Sequence, residues 1–161
     1  MTQFETGDVA RMVGIRPIYL NRFVERKLYG IQPSARSGEG TGRRRWFSFD
    51  DLLGIALVWW LFEAGLRTEV IKRVLRELGN SKVAIANQAA KSLRKSGAEV
   101  LIISRKLRLG QSTQPRTPQS IVATDYATIR QMLKKVDGKS LQVLPVRTLF
   151  ATVISQVPNI T

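Results

Sequence analysis

The stretch from Leu52 to Phe62 constrains this chain most: eleven residues, LLGIALVWWLF, without a charged side chain. It follows Ser48-Phe-Asp-Asp51, which places a serine at a cap position and an acid three residues on, the spacing of a capping box. The pattern predicts a helix over Asp50 to Ala64, closed by Gly65. A surface helix keeps one polar side. This one is apolar on nearly all sides, so other elements or a second subunit must cover it. Eleven residues fall well short of the ~20 needed to cross a bilayer. The segment therefore reads as a core helix, with no membrane partner expected. Trp59 and Trp60 inside it read as core or dimer contacts, not as a cofactor box.

The residues before this helix carry two shorter ones. Thr6 is placed to cap a helix over Gly7 to Met12, which stops at Gly14. Pro17 fits the first turn of a second helix running to about Lys27, where its missing N–H is harmless. Two helices joined by a short Gly-containing turn make a helix-turn-helix. Val9, Ala10, Val13, Ile15, Leu20 and Phe23 are spaced to meet between them, leaving Arg16, Tyr19, Arg22 and Arg26 to face outward. Residues 34–45, SARSGEGTGRRR, contain no apolar residue larger than Ala and read as the tip of a hairpin between Tyr29-Gly-Ile31 and Trp46-Phe47. Arg43, Arg44 and Arg45 end that tip. Side chains alternate along a strand, so the three cannot all face one way. Two are expected to meet phosphate and one to lay its stem on Trp46 or Phe49. After Gly65, Thr68 is placed to cap a helix over Glu69 to Leu78.

Composition changes beyond Gly79. Ser81 to Ser96 reads as a helix with Val83, Ala86, Ala90 and Leu93 on one face. Val100 to Ile103 reads as a buried strand, residues 109–118 as a loop, Ile121 to Thr124 as a second strand and Asp125 to Val136 as an amphipathic helix. Asp137-Gly138 marks a turn, Leu141 to Val146 a third strand, and Thr148 to Val157 a last helix. The expected fold is mainly α with a small wing hairpin, followed by a small α/β unit. The expected division is a head over 1–80, a linker or dimerisation helix over 81–98, and a C-terminal domain over 99–161.

Charge narrows the partner. Lys and Arg number 26 against 12 acids, a net +14, which favours a polyanion and binding that weakens as salt rises. Residues 1–80 hold 13 basic against 9 acidic residues and the remainder 13 against 3, so most of the excess lies beyond the head. Lys91, Arg94, Lys95, Arg105, Lys106, Arg108 and Arg116 form its denser part. The chain has no Cys and no His, which excludes disulfides, thiol redox chemistry and thiolate or imidazole metal sites. Gly38-Glu-Gly-Thr-Gly42 lacks the lysine and the strand-to-helix setting of a phosphate-binding loop. Glu63 with Glu69, or Asp50 with Asp51, is better explained by helix position than as a catalytic pair. No enzyme, metal or cofactor is expected. The opening MTQFETGDVARMVG has no apolar leader, and a cytoplasmic, nucleoid-associated location is expected.

Several of these pieces together resemble the MerR family of transcription regulators. They are Thr6-Gly-Asp-Val-Ala10 with Gly14-Ile15, Leu20 and Leu28, then Arg44-Arg-Trp-Phe-Ser-Phe-Asp-Asp-Leu52, then Phe62-Glu-Ala-Gly-Leu66 with Val70-Ile71. The match covers residues 4–78. The resemblance implies a helix-turn-helix without strands, an Arg-bearing wing and two further helices. It also implies a homodimer on double-stranded DNA at a near-palindromic operator, in contact with RNA polymerase. Carried onto this chain, the groove-facing residues are Arg16, Tyr19, Asn21 and Arg22, and Arg45 stands where the family binds backbone phosphate. Family members often have Arg at the position of Asn21 and an aromatic at that of Arg22. An architectural or accessory protein that uses its basic C-terminal half on DNA or RNA is the second reading.

Overall fold

The computed structural model describes residues 3–37, 44–106, 120–125, 127–128 and 139–158. Its first element is a strand, β1 (Gln3–Glu5), followed by helices α1 (Thr6–Val13) and α2 (Pro17–Glu25). A short 3-10 turn, Leu28–Gly30, leads to the antiparallel hairpin β2 (Ala35–Ser37) and β3 (Arg44–Ser48). Helices α3 (Phe49–Glu63), α4 (Thr68–Leu78) and α5 (Ala86–Ser96) come next. The C-terminal part contains β4 (Val100–Lys106), β5 (Ser120–Thr124), β6 (Lys139–Leu144) and a helix, α6 (Val146–Ser155). The architecture is mainly helical, with a small antiparallel hairpin in the first half and a second antiparallel sheet near the end.

The expected apolar helix is present, and its own chain covers it. Leu52, Leu53, Ile55, Leu57, Val58 and Leu61 of α3 are fully buried. Helix α5 crosses α3 at Gly54, where an added Cβ would stand 2.6 Å from the backbone nitrogen of Asn87. Ala86, Ala89, Ala90 and Leu93 form the buried face of α5. Small residues on both helices permit this close approach, and α1, α4 and α6 close the remaining sides of α3. Ser48 caps α3 as its spacing predicts: its hydroxyl accepts from the Asp51 amide, and the Asp51 carboxylate accepts from the Ser48 amide.

Several boundaries differ from the sequence reading, each for a local reason. Strand β1 precedes α1 and pairs with β3, Phe4 opposite Phe47, so the head is not strand-free. Both phenylalanines are buried, which gives this short strand its anchor. The first hairpin strand is Ala35–Ser37, inside the stretch expected as the tip, and Leu28–Gly30 folds into a 3-10 turn instead of leading it. Thr6 and Thr68 are the first helical residues, after Glu5 and Arg67, and neither helix has a side-chain cap. Helix α5 starts at Ala86, five residues later than expected. Asn80 is left-handed, and the Ser81 hydroxyl takes the Val83 amide instead of releasing it to a helix. Val83 is 62% exposed, outside the helical seam. Pro145, which has no N–H to give a strand, ends β6 and places the start of α6 at Val146.

In the C-terminal sheet the order is β5-β4-β6, all antiparallel, with β4 central and Val100 to Ile103 fully buried. The Arg147 amide bonds to Glu99 O at 3.1 Å and its guanidinium to the Glu99 carboxylate at 3.2 Å, tying α6 to the start of β4. The loop expected over 109–118 lies outside the described residues. So does most of the helix expected over Asp125 to Val136, of which 127–128 are helical. Among the described residues no helix is long and apolar enough to cross a membrane.

Candidate nucleic-acid interface

The turn between α1 and α2 sets the outward face of α2. Gly14 ends α1 in the left-handed region (φ 74°), and the Gly14 and Ile15 amides both return to Ala10 O. Ile15 drops into the core, and Arg16 stands extended as the residue before Pro17. Leu20, Phe23 and Val24 then face inward. Met12 is buried, whereas Val13, expected at this seam, is half-buried. The opposite side of α2 presents Ile18, Arg22, Glu25 and Arg26 to solvent, a strip at helical spacing. Ile18 is 63% exposed, the most exposed large apolar residue among those described.

The expected site residues divide into an outward set and a bracing set. Arg22 and Arg26 are exposed and form no ion pair among the described residues. Arg16 is exposed, but its Nη2 donates to the Tyr19 hydroxyl at 3.1 Å and its guanidinium sits 5.0 Å from that ring's centre. Tyr19 does not stand free in solvent. It is half-buried, its ring 5.5 Å from Trp59 and 6.0 Å from Phe62 between centroids. Trp59 and Phe62 themselves stack at 5.5 Å, and Phe23 meets both Phe62 and Tyr29 edge-on. This aromatic group seats α2 on α3.

Asn21 and Arg45 belong to the bracing set. Arg45 Nη1 donates to Asn21 Oδ1 at 3.0 Å, and its Nη2 lies 3.7 Å from Glu25 Oε1. The Arg45 side chain is only 25% exposed, so hairpin strand β3 is fastened across α2. Arg44 points the other way, 69% exposed, and donates to Glu5 of β1 at 3.2 Å. Alternation along the strand separates the two, as expected. Arg43 lies outside the described residues. Among the described residues no wing arginine rests on Phe49; that ring carries Arg94 of α5, 5.4 Å from its centre. Arg94 Nη2 also lies 3.2 Å from Asp50 Oδ1, a charge contact without hydrogen-bond alignment.

Asp51 ties the base of the hairpin to the helices. Its carboxylate accepts from the Ser48 amide at 2.9 Å, the Ser48 hydroxyl at 2.7 Å, the Ser34 hydroxyl, and Asn87 Nδ2 at 2.8 Å. Ser34 belongs to the lead-in of β2 and Asn87 to α5, so one buried carboxylate joins three segments. The sequence signals the capping half of this group. Nothing in the local spacing signals Asn87, which is 36 residues away.

The arrangement offers an exposed basic helix face beside a fastened hairpin, with no group of three acids, His or Cys placed to hold a metal among the described residues. No known protein-family model matches the sequence, and neither does any curated protein.

Proposed function

We propose that the protein is a sequence-specific, double-stranded-DNA-binding transcription regulator of the MerR type, acting as a homodimer on a near-palindromic operator. Helix α2 enters the major groove and the β2–β3 hairpin is the wing on the backbone. The observation that carries this reading is the Arg45–Asn21 bond. It fastens the hairpin to α2 while Arg22 and Arg26 stay outward, with no ion pair among the described residues. An α-helix about 10–12 Å across with its side chains fits a major groove about 12 Å wide. Arg22 can take a guanine edge with two hydrogen bonds, and Ile18 can meet a thymine methyl. Arg44 and the net +14 supply phosphate attraction.

Helix α5 uses its apolar face on α3 and α4, so we assign the dimer contact to the C-terminal half. Selection of bound fragments from a random duplex pool, followed by footprinting and sedimentation of the complex, tests the proposal. A recurrent motif with two half-sites and a protein dimer on it is the expected result. Binding that scales with duplex length and shows no motif would refute it, and would assign the chain to the architectural class.

A further inference from the structure

Three non-glycine residues among those described have left-handed backbone: Lys27 (φ 49°), Tyr29 (φ 59°) and Asn80 (φ 47°). All three gather around one concave region. Lys27 and Tyr29 line a cleft of about 490 Å³ between the α2–β2 connection and α4. Asn80 borders an adjoining hollow that shares Arg76 and Lys82 with it. L-residues are strained in this backbone region, and such strain concentrates at ligand sites. The cleft wall is preformed. Gly30 approaches the 82–85 segment so closely that an added Cβ would stand 2.8 Å from Ala84 O.

The charge around this cleft is one-sided. Lys27, Lys72, Arg76 and Lys82 line it with a single acid, Glu69, which Lys72 holds at 3.0 Å. Lys27, Arg76 and Lys82 form no ion pair among the described residues. On the neighbouring row of α4, by contrast, Arg73 is matched to Glu77 at 2.7 Å. Three uncompensated cations around one concavity repel one another and attract a multivalent anion. The same cleft contains Val83, 62% exposed, beside Ala84. Its volume lies within the range of small-molecule sites. A ligand that satisfies both halves has a phosphate for the cations and a flat apolar body for Val83.

We propose that this cleft binds the phosphate of a nucleotide, with Arg76, Lys82 and Lys27 on the phosphate and Val83 against the base. The cleft is separate from the outward strip of α2: none of Arg16, Tyr19, Asn21, Arg22, Arg26, Arg44 and Arg45 lines it. The nucleotide can be free or part of a nucleic-acid strand, and the test distinguishes the two. Full-length protein is titrated with ADP, adenosine and inorganic phosphate by calorimetry at fixed ionic strength. Three variants are compared: Arg76→Gln with Lys82→Gln, Val83→Ala, and a charge-matched control on α5, Lys91→Gln with Lys95→Gln. Thermal melts confirm that each is folded, and Lys27→Gln replaces the first double variant if that one is not.

For a free nucleotide, ADP saturates one site per chain and the cleft double variant weakens it at least tenfold. The α5 control leaves that affinity unchanged, and Val83→Ala weakens ADP but not phosphate. For a nucleotide within a strand, ADP does not saturate, yet the cleft double variant weakens duplex binding at least tenfold more than the control. The proposal is overturned if ADP fails to saturate and both double variants weaken duplex binding equally. Adenosine binding as tightly as ADP would overturn it as well.

Discussion

Replacing Asp51 tests whether a single buried carboxylate holds the hairpin, α3 and α5 together. In Asp51→Ala four donors lose their acceptor. The Ser34 hydroxyl is on an exposed residue and can turn to water, so it contributes little. Loss of the capping box costs about 1 kcal/mol. The Asn87 amide, left without an acceptor at a half-buried position, costs about 1–2 kcal/mol more. The total is roughly 2–3 kcal/mol, from these capping and unsatisfied-donor terms. At about 2–4 °C per kcal/mol for a chain of this size, Tm should fall by about 4–12 °C. Asp51→Asn keeps the shape but leaves one oxygen where two accepted, so either the Ser48 amide or Asn87 faces an NH2 group. It should lie roughly midway, about 1.5 kcal/mol down. Urea and thermal unfolding of both variants, with Asn87→Ala and the Asp51→Ala/Asn87→Ala pair, measure this. The pair should be non-additive by about 1 kcal/mol, because the two residues share one bond. Additive losses, or a Tm change in Asp51→Ala no larger than that of an exposed cap, would show that the three segments are held by packing alone.

Gly54→Ala should destabilise by about 1–3 kcal/mol in urea unfolding, because its Cβ meets Asn87 backbone. Helix propensity alone predicts a gain of about 1 kcal/mol, so the sign decides between the two. The Asp125 carboxyl should titrate below its ordinary value by NMR, chiefly because the Thr128 amide donates to it and secondarily because the Thr128 hydroxyl does. Its contribution should be complete above the ordinary carboxylate pKa and disappear as pH falls through the lowered one, and Asp125→Asn should remove that pH dependence. On a selected operator, Arg22→Ala should cost about 1–3 kcal/mol and relax preference at one base pair. Arg44→Ala should weaken all duplexes alike and reduce the salt slope by about one.

Much of the fold was legible where one local rule decides the outcome. The apolar run of Leu52 to Phe62 and the Ser48–Asp51 box fixed α3 to within one residue at each end, because capping and burial agree there. Gly14 and Pro17 likewise placed the turn between α1 and α2. Long-range pairing was the illegible part. Strand β1 has three residues and no alternation to detect; it exists because Phe4 finds Phe47 across β3. Val83 matches the seam spacing and so predicts a longer α5, while the competing Ser81 hydroxyl bond is invisible to periodicity. At the candidate site, outwardness of Arg22 and Arg26 followed from helical geometry alone. The inward turn of Tyr19 and the capture of Asn21 by Arg45 did not, since each depends on a partner 24 or more residues away.

The same long-range contacts bear on where the N-terminal helical unit ends. Along the sequence, the composition change after Gly79 marks a boundary at residue 80, with 81–98 as a linker or dimerisation helix. In the fold, the residues just past that boundary complete what precedes it. Gly54 is a glycine inside an apolar helix, where it weakens the helix; its small size is used only because Ala86 and Asn87 lie against it. Asp51 is half of a capping box, yet the outer lobe of its carboxylate has its partner in Asn87. A chain ended at residue 80 would expose the buried side of α3 and leave that lobe unpaired. The aromatic seat of α2 rests on the same helix, through Tyr19 against Trp59 and Phe62. The outward strip of α2, the fastened hairpin and α5 are therefore one mechanical unit centred on α3. That unit continues past the change of composition at Gly79 at least as far as Gly97, the left-handed residue that closes α5.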